Sequence, residues 1–150
     1  MLPVARILFV CTGNTCRSPM AERLARLHYP QHHWESAGVR IWRSGLSPWA
    51  VPVLVQMGAE TGGFVSRQIE DAALESFDHV VLIGDQAQEW WGGHSCPPSF
   101  AGKSARATVH RWDVPDPLTD DGMTDAQRHP IYAATAAELL RRIHELALTL

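Results

Sequence analysis

Apolar residues along the chain fall in short blocks, set apart by polar, glycine- and proline-bearing stretches. The first block, Ile7-Leu8-Phe9-Val10, has no polar alternation and ends at Thr12-Gly13-Asn14. A run apolar on both faces predicts a central parallel strand. Residues 18–28 then predict a helix: Pro19 suits a first turn, Met20, Leu24 and Leu27 recur at helical spacing, and Pro30 ends the pattern. Residues 34–37 predict a second strand, 38–48 a loop, and 52–57 a second helix with Gly58 beyond its end. Residues 70–77 read as a third, shorter helix. The clearest buried strand is 79–83, closed by Gly84-Asp85, with a short helix expected over 86–91. A turn-rich loop over 92–102, a strand over 107–112 and a long polar loop over 114–122 follow. The last helix is expected over 130–148, with Ile131, Ala134, Leu139, Ile143 and Leu146 on one side.

Alternating strands and helices predict an α/β fold, an open parallel sheet covered on both faces. Ligands on such sheets bind beyond the carboxyl ends of the strands. Cys11, Asp85 and the loop after Trp112 all fall there. With no repeat or interdomain linker, the 150 residues read as a single domain, 1–150. That length suffices for a core that removes roughly 70% of the unfolded surface from water.

Charge narrows the partners. With 13 basic and 16 acidic residues, nothing points to nucleic acid or an anionic membrane. No apolar run is long enough to cross a bilayer, and the first ten residues lack the order of a signal peptide. The three cysteines, Cys11, Cys16 and Cys96, do not resemble a secreted disulfide framework. A cytoplasmic protein with free, reduced thiols is expected.

The chemistry concentrates in Cys11-Thr12-Gly13-Asn14-Thr15-Cys16-Arg17-Ser18, between a strand and a helix. A loop of this length can curl so that its backbone N–H groups point inward and cradle a tetrahedral oxyanion, with the following helix adding partial positive charge. Gly13 permits the curl. Arg17 offers a planar fork for two anion oxygens. The same field favours thiolate over thiol at Cys11, and a thiolate beneath a bound phosphate can attack it to give a cysteinyl-phosphate. Asp116, stiffened between Pro115 and Pro117, is the candidate general acid for the leaving oxygen. Taken singly, Cys11 reads as a buried hydrophobe and the Pro-Asp-Pro run as a turn. Their combination in this order is what points to chemistry.

The run Val10-Cys11-Thr12-Gly13-Asn14-Thr15-Cys16-Arg17-Ser18-Pro19-Met20-Ala21-Glu22 resembles the signature of the low-molecular-weight protein tyrosine phosphatase superfamily. The resemblance continues at Ser36-Ala37-Gly38, Trp42, Ser66-Arg67-Gln68, Phe77-Asp78, Gly84-Asp85 and Asp116-Pro117. It implies a three-layer α/β fold of the phosphotyrosine protein phosphatase I type, with a four-stranded parallel sheet flanked by helices. It implies Cys11 as nucleophile, Arg17 as phosphate ligand and transition-state clamp, and Asp116 as acid then base. Thr12, Gly13, Asn14, Thr15, Cys16 and Ser18 would form the phosphate loop, Asn14 and Ser18 holding loop and thiolate by hydrogen bonds. Ser36 would support Asn14, and Trp42 would wall the pocket. No metal or organic cofactor is implied. The substrate would be a phosphorylated protein or a small phosphate ester, and phosphate or arsenate would bind the loop. The family also implies a reversible Cys11–Cys16 disulfide; plain loop packing accounts for Cys16 equally well.

Two departures matter. Leu118 and Thr119 stand where phosphotyrosine-directed members carry aromatics, and Phe64 stands near a family histidine. The same fold hosts arsenate reductases, which pass oxidation along further cysteines to thioredoxin or glutaredoxin. Cys96-Pro97 and the run 112–117 are reductase-like, and a relay through Cys96 or Cys16 is the rival expectation. Against it, Gly84 stands where thioredoxin-coupled reductases carry a cysteine, and Pro19 is phosphatase-like. A non-catalytic phosphate-sensing module is disfavoured, because Cys11, Arg17 and Asp116 are all intact. Of the remaining residues, His32-His33 reads as a solvated loop, Trp49 as a pocket border, Trp90-Trp91 as packing, Asp120-Asp121 as surface charge and Asp85 as a helix cap.

Overall fold

The computed structural model describes residues 3–92, 107–118 and 122–150. Four parallel strands form one sheet: β1 (Arg6–Cys11), β2 (His33–Gly38), β3 (His79–Ile83) and β4 (Thr108–Trp112). Their order is β2-β1-β3-β4. The chain therefore leaves β1 in one direction to make β2 and returns on its other side to make β3. That reversal opens a crevice at the carboxyl end of β1, where Cys11 pairs with Gly38.

Four helices accompany the sheet: α1 (Arg17–His28), α2 (Ala50–Gln56), α3 (Asp85–Gly92) and α4 (Asp125–Ala147). The unbroken apolar run of β1 divides between two cores by alternation. Ile7 and Phe9 pack with Val81, Ile83 and Trp112 against Met20, Leu24, Leu54, Leu139 and Ile143. Leu8 and Val10 pack with Val80 and Leu82 against Ile69, Leu74, Phe77 and Ala87. A four-stranded parallel sheet between two helical layers is the architecture expected from the sequence. No helix among the described residues is long and apolar enough to cross a membrane.

Three expectations are corrected. Residues 70–77 do not form a continuous helix but two single turns of 3-10 helix, Ile69–Asp71 and Leu74–Ser76. The reason is long-range. Ala72 is extended at φ −86° and ψ 143°, and Ala73 lies at ψ 75°, so the chain leaves the helical conformation between the two turns, and Ile69, Ala72, Leu74 and Phe77 all pack into the second core. The last helix begins at Asp125 rather than at Pro130, because Thr124 and Gln127 form a reciprocal capping box. Pro130 lies inside the helix. Asp85 is the first residue of α3, where the helix dipole favours an acid, rather than the cap. The 92–102 loop beyond Gly92, with Cys96, and Thr119, Asp120 and Asp121 lie outside the described residues.

The two histidines at the start of β2 are engaged locally. His32 Nδ1 accepts from the Ala5 amide and His33 pairs with Glu35. Trp90 and Trp91 pack against the second core.

Candidate active site

The segment 12–16 joins β1 to α1 at the crevice. Its carbonyls are drawn outward by neighbouring segments. The Cys11, Thr12 and Thr15 carbonyls accept from the amides of Val39 (3.1 Å), Arg40 (2.8 Å) and Ser47 (2.7 Å), and Cys16 accepts from Met20 (2.9 Å). The Asn14 carbonyl accepts from Ser66 Oγ at 2.7 Å. By contrast, the amides of Gly13, Asn14, Thr15, Cys16 and Arg17 have no acceptor among the described residues. A loop with its carbonyls engaged outside and its amides unpaired is a concave donor surface suited to an anion. The first turn of α1 carries no acidic residue, so the positive end of its dipole faces the same space uncompensated.

Asn14 holds the curl. It is the only non-glycine residue at positive φ among the described residues, at 53°. Its fully buried side chain satisfies both ends. Oδ1 accepts from the Arg67 amide at 2.9 Å, and Nδ2 donates to Ser18 Oγ at 2.8 Å and to Ser36 Oγ at 3.0 Å. Ser18 Oγ lies 2.9 Å from Cys11 Sγ. Ser36 in turn donates to Glu22 Oε1 at 3.0 Å. A continuous buried chain of polar contacts thus runs from the Cys11 sulfur to a carboxylate on α1. Burial pushes the Glu22 carboxyl up, against Arg26, the Ser36 hydrogen bond, Arg23 and Arg67.

Arg17 is 6% exposed. Nη1 donates to the Val114 carbonyl at 2.9 Å, while Nη2 approaches Thr12 Oγ1 at 3.4 Å and Asp116 Oδ2 at 3.7 Å. The loop after β4 therefore aims the guanidinium and brings Asp116 beside it. Asp116 stays half exposed, its Oδ1 accepting from the Leu118 amide. Gly84 completes the arrangement. It has a φ of 87°, and a Cβ there would lie 2.1 Å from Arg17 Nη1. Sequence reasoning assigned Gly84, Ser66, Arg67 and Glu22 no role in holding the loop. All four stand in stretches that carry the family resemblance, but nothing local in the sequence shows which contacts they make.

Two adjoining cavities share Thr12, Arg17 and Asp116. The narrower, of about 80 Å³, reaches Cys11 and is bordered by Trp42, Trp49, Leu118 and Tyr132. The wider, of about 270 Å³, runs past Gly84 and Asp85 to Asp113. Trp42 is 63% exposed and lies so close to Gly13 that a Cβ there would meet its Nε1 at 2.8 Å. Trp49 donates to Asp125 Oδ1 at 3.1 Å, lies under Arg128 and packs on Tyr132. This clasp ties the start of α4 to the pocket rim. Burial pushes the Tyr132 hydroxyl up to about 12, with nearby Cys16 adding to the shift.

Cys16 is buried. Burial first, then the neighbouring Cys11 and Asp116, push its thiol well up, against the pull of Arg17. Cys16 is therefore held as a neutral thiol. Phe64 sits away from the pocket, beneath the Arg23 guanidinium.

Comparison with known proteins places this geometry. An arsenate reductase from Shouchella clausii (strain KSM-K16) is 32% identical over 144 residues, 95% of each chain. The low molecular weight protein-tyrosine-phosphatase PtpB of Staphylococcus aureus is 62% identical over 86 residues, 52% of this chain and 61% of its own. The solved structure of the YwlE arginine phosphatase from Geobacillus stearothermophilus superposes with a TM-score of 0.73 at 29% identity, covering 97% of this chain and 92% of that one. Residues 6–150 match the family described as low molecular weight phosphotyrosine protein phosphatase, whose members include both phosphatases and arsenate reductases. With the motif, the sheet order and nearly the full length in agreement, the chain belongs to that family of enzymes.

Proposed function

We propose that the protein is a phosphate-monoester hydrolase working through a cysteinyl-phosphate. The observation that supports this most is the run of amides from Gly13 to Arg17 that have no acceptor among the described residues, while the neighbouring carbonyls are engaged. In this reading the Cys11 thiolate attacks phosphorus as the ester P–O bond breaks, and Asp116 gives its proton to the leaving oxygen. Asp116 then takes a proton from water as that water displaces Sγ. Arg17 and the loop amides hold the three equatorial oxygens throughout. Ser18 supports the thiolate, and Asn14, Ser36 and the outward-bonded carbonyls of Thr12, Thr15 and Cys16 keep the cradle open. A cytoplasmic setting, where thiols stay reduced, suits this chemistry.

The substrate proposed is a phosphorylated side chain of a protein, as the names of the phosphatase relatives suggest, with small phosphate esters as alternatives. Trp42 and Trp49 flank the opening and offer flat faces to a planar leaving group. If Asp116 is the acid, Asp116→Ala slows hydrolysis of an alkyl phosphate by about 10²–10⁴-fold, but that of p-nitrophenyl phosphate far less. Steady-state kcat on both esters checks this, and equal slowing removes Asp116 from the acid role.

One observation favours a second reading. The full-length match to an arsenate reductase suggests arsenate as oxidant, with Cys96 or Cys16 as relay thiol and thioredoxin or glutaredoxin as reductant. Two features weigh against it. The end of β3 offers Ile83 and Gly84, and no side chain fits at position 84 while Arg17 stays in place. Cys16 is a buried neutral thiol. A paired assay on one preparation decides. Aryl phosphate turnover, with no arsenate-dependent NADPH oxidation when thioredoxin or glutaredoxin is supplied, supports the hydrolase. Efficient arsenate reduction that is lost in Cys96→Ser overturns it.

A further inference from the structure

Behind the loop, where Ser36 and Glu22 form part of the wall, lies a cavity of about 270 Å³ that the proposed chemistry leaves unused. Three guanidinium groups border it: Arg23 and Arg26 from α1, and Arg67 from the segment that clamps Asn14. Both carboxylates on its wall are already committed. Glu22 accepts from Ser36 and faces Arg23 Nε at 3.2 Å and Arg26 Nη2 at 3.7 Å. Glu35 pairs with Arg67 Nη2 at 2.7 Å and also with Arg6 and His33.

The guanidinium groups are not saturated. Arg26 directs Nε and Nη2 to the Trp34 carbonyl, and Arg67 directs Nη2 to Glu35 and towards the Ser36 carbonyl. Both Nη atoms of Arg23, and Nη1 of Arg26 and of Arg67, have no acceptor among the described residues. Arg67 Nε is buried without a hydrogen bond, whereas Arg23 Nε, also buried, has the Glu22 carboxylate beside it at 3.2 Å. The Nη donors are open to solvent, and an oxyanion in the cavity offers them charge-assisted bonds stronger than those they make to water. The Arg23 guanidinium lies over the Phe64 ring, its carbon 5.7 Å from the ring centre, which helps fix its position at the cavity wall.

We propose that this cavity is a second, non-catalytic oxyanion site, taking inorganic phosphate on Arg23, Arg26 and Arg67. The binding claim is independent of the catalytic reading.

The test is titration of inorganic phosphate followed by backbone amide NMR shifts. In Arg17→Ala protein, checked for folding by circular dichroism, the amides of Phe64, Val65 and Arg67 are expected to shift along a saturating curve in the millimolar range, while Gly13 and Thr15 hold still. Adding Arg23→Gln weakens that binding about tenfold or more. In the wild-type protein the two sets of amides titrate with separate midpoints, which keeps the test available if Arg17→Ala does not fold. Identical midpoints in the wild type, no saturable shift at Phe64 and Arg67, or indifference to Arg23→Gln each overturn the second site.

Discussion

Cys11→Ser is expected to lower aryl phosphate turnover by roughly four orders of magnitude or more while leaving phosphate affinity within about threefold. The two halves of this result have different physical sources. Attack on phosphorus needs an ionised, polarisable sulfur, and a serine hydroxyl at the same place is a far weaker nucleophile near neutral pH. Anion binding, in contrast, draws on amides and a guanidinium that the substitution does not touch. The amides of residues 13–17 have no acceptor among the described residues, and the carbonyls of Cys11, Thr12, Asn14 and Thr15 are held by Val39, Arg40, Ser66 and Ser47, not by the sulfur. Arg17 is aimed by the Val114 carbonyl. Single-turnover kinetics and a phosphate titration on the same variant check both halves. Surviving turnover would sink the nucleophile assignment. Lost phosphate binding in a folded variant would mean that Sγ itself shapes the loop through its 2.9 Å contact with Ser18.

Gly84→Ala is the second large effect, and the change lies outside the signature run. The added methyl carbon meets Arg17 Nη1 at 2.1 Å and Arg17 Cζ at 3.1 Å, so the guanidinium must leave its place. The residue also sits at a φ of 87°, where a side chain costs about 1–2 kcal/mol. Turnover of an aryl phosphate is expected to fall by roughly 10²–10³-fold, the scale of losing one oxyanion-stabilising group. The urea midpoint should drop by only the smaller, conformational amount. Measured together, kcat/KM and the unfolding midpoint separate the two contributions. Wild-type activity in Gly84→Ala would show that Arg17 works from another position. The same collision bears on the rival reading: a relay thiol at position 84 is incompatible with Arg17 as placed here.

How far the sequence alone carries depends on whether local or distant forces set each piece. The strands over 7–10 and 79–83 were legible because a short apolar run buried on both faces has few other uses. The loop between Cys11 and Arg17 was legible as a strand-to-helix connection because its residue types and spacing sit together in one stretch. The segment 70–77 breaks at Ala72 and Ala73, where the chain extends while Ile69, Leu74 and Phe77 all pack into the second core, a tertiary demand that the local helical pattern does not show. The start of the last helix was set five residues late at Pro130, although the capping box of Thr124 and Gln127 was readable in principle. The clamp of Ser66 and Arg67 on Asn14 spans more than fifty positions, and no local pattern announces it. Nor does the sequence reveal that Gly84 is small because a guanidinium from α1 occupies its side-chain space.

That distant clamp ties the cradle to the fate of another segment. Asn14 keeps its left-handed backbone because Ser66 Oγ and the Arg67 amide hold it, and residues 61–68 contain no helix or strand of their own. Segments with little regular structure open locally at lower free energy than the sheet they lean on. Each such opening frees the Asn14 carbonyl and Oδ1 at once, and the loop between Cys11 and Arg17 loses its shape while β1, β3 and α4 stay folded. On warming, aryl phosphate turnover is then expected to fall at a lower temperature than the far-ultraviolet circular dichroism signal of the helices, with the stretch around Arg67 opening first.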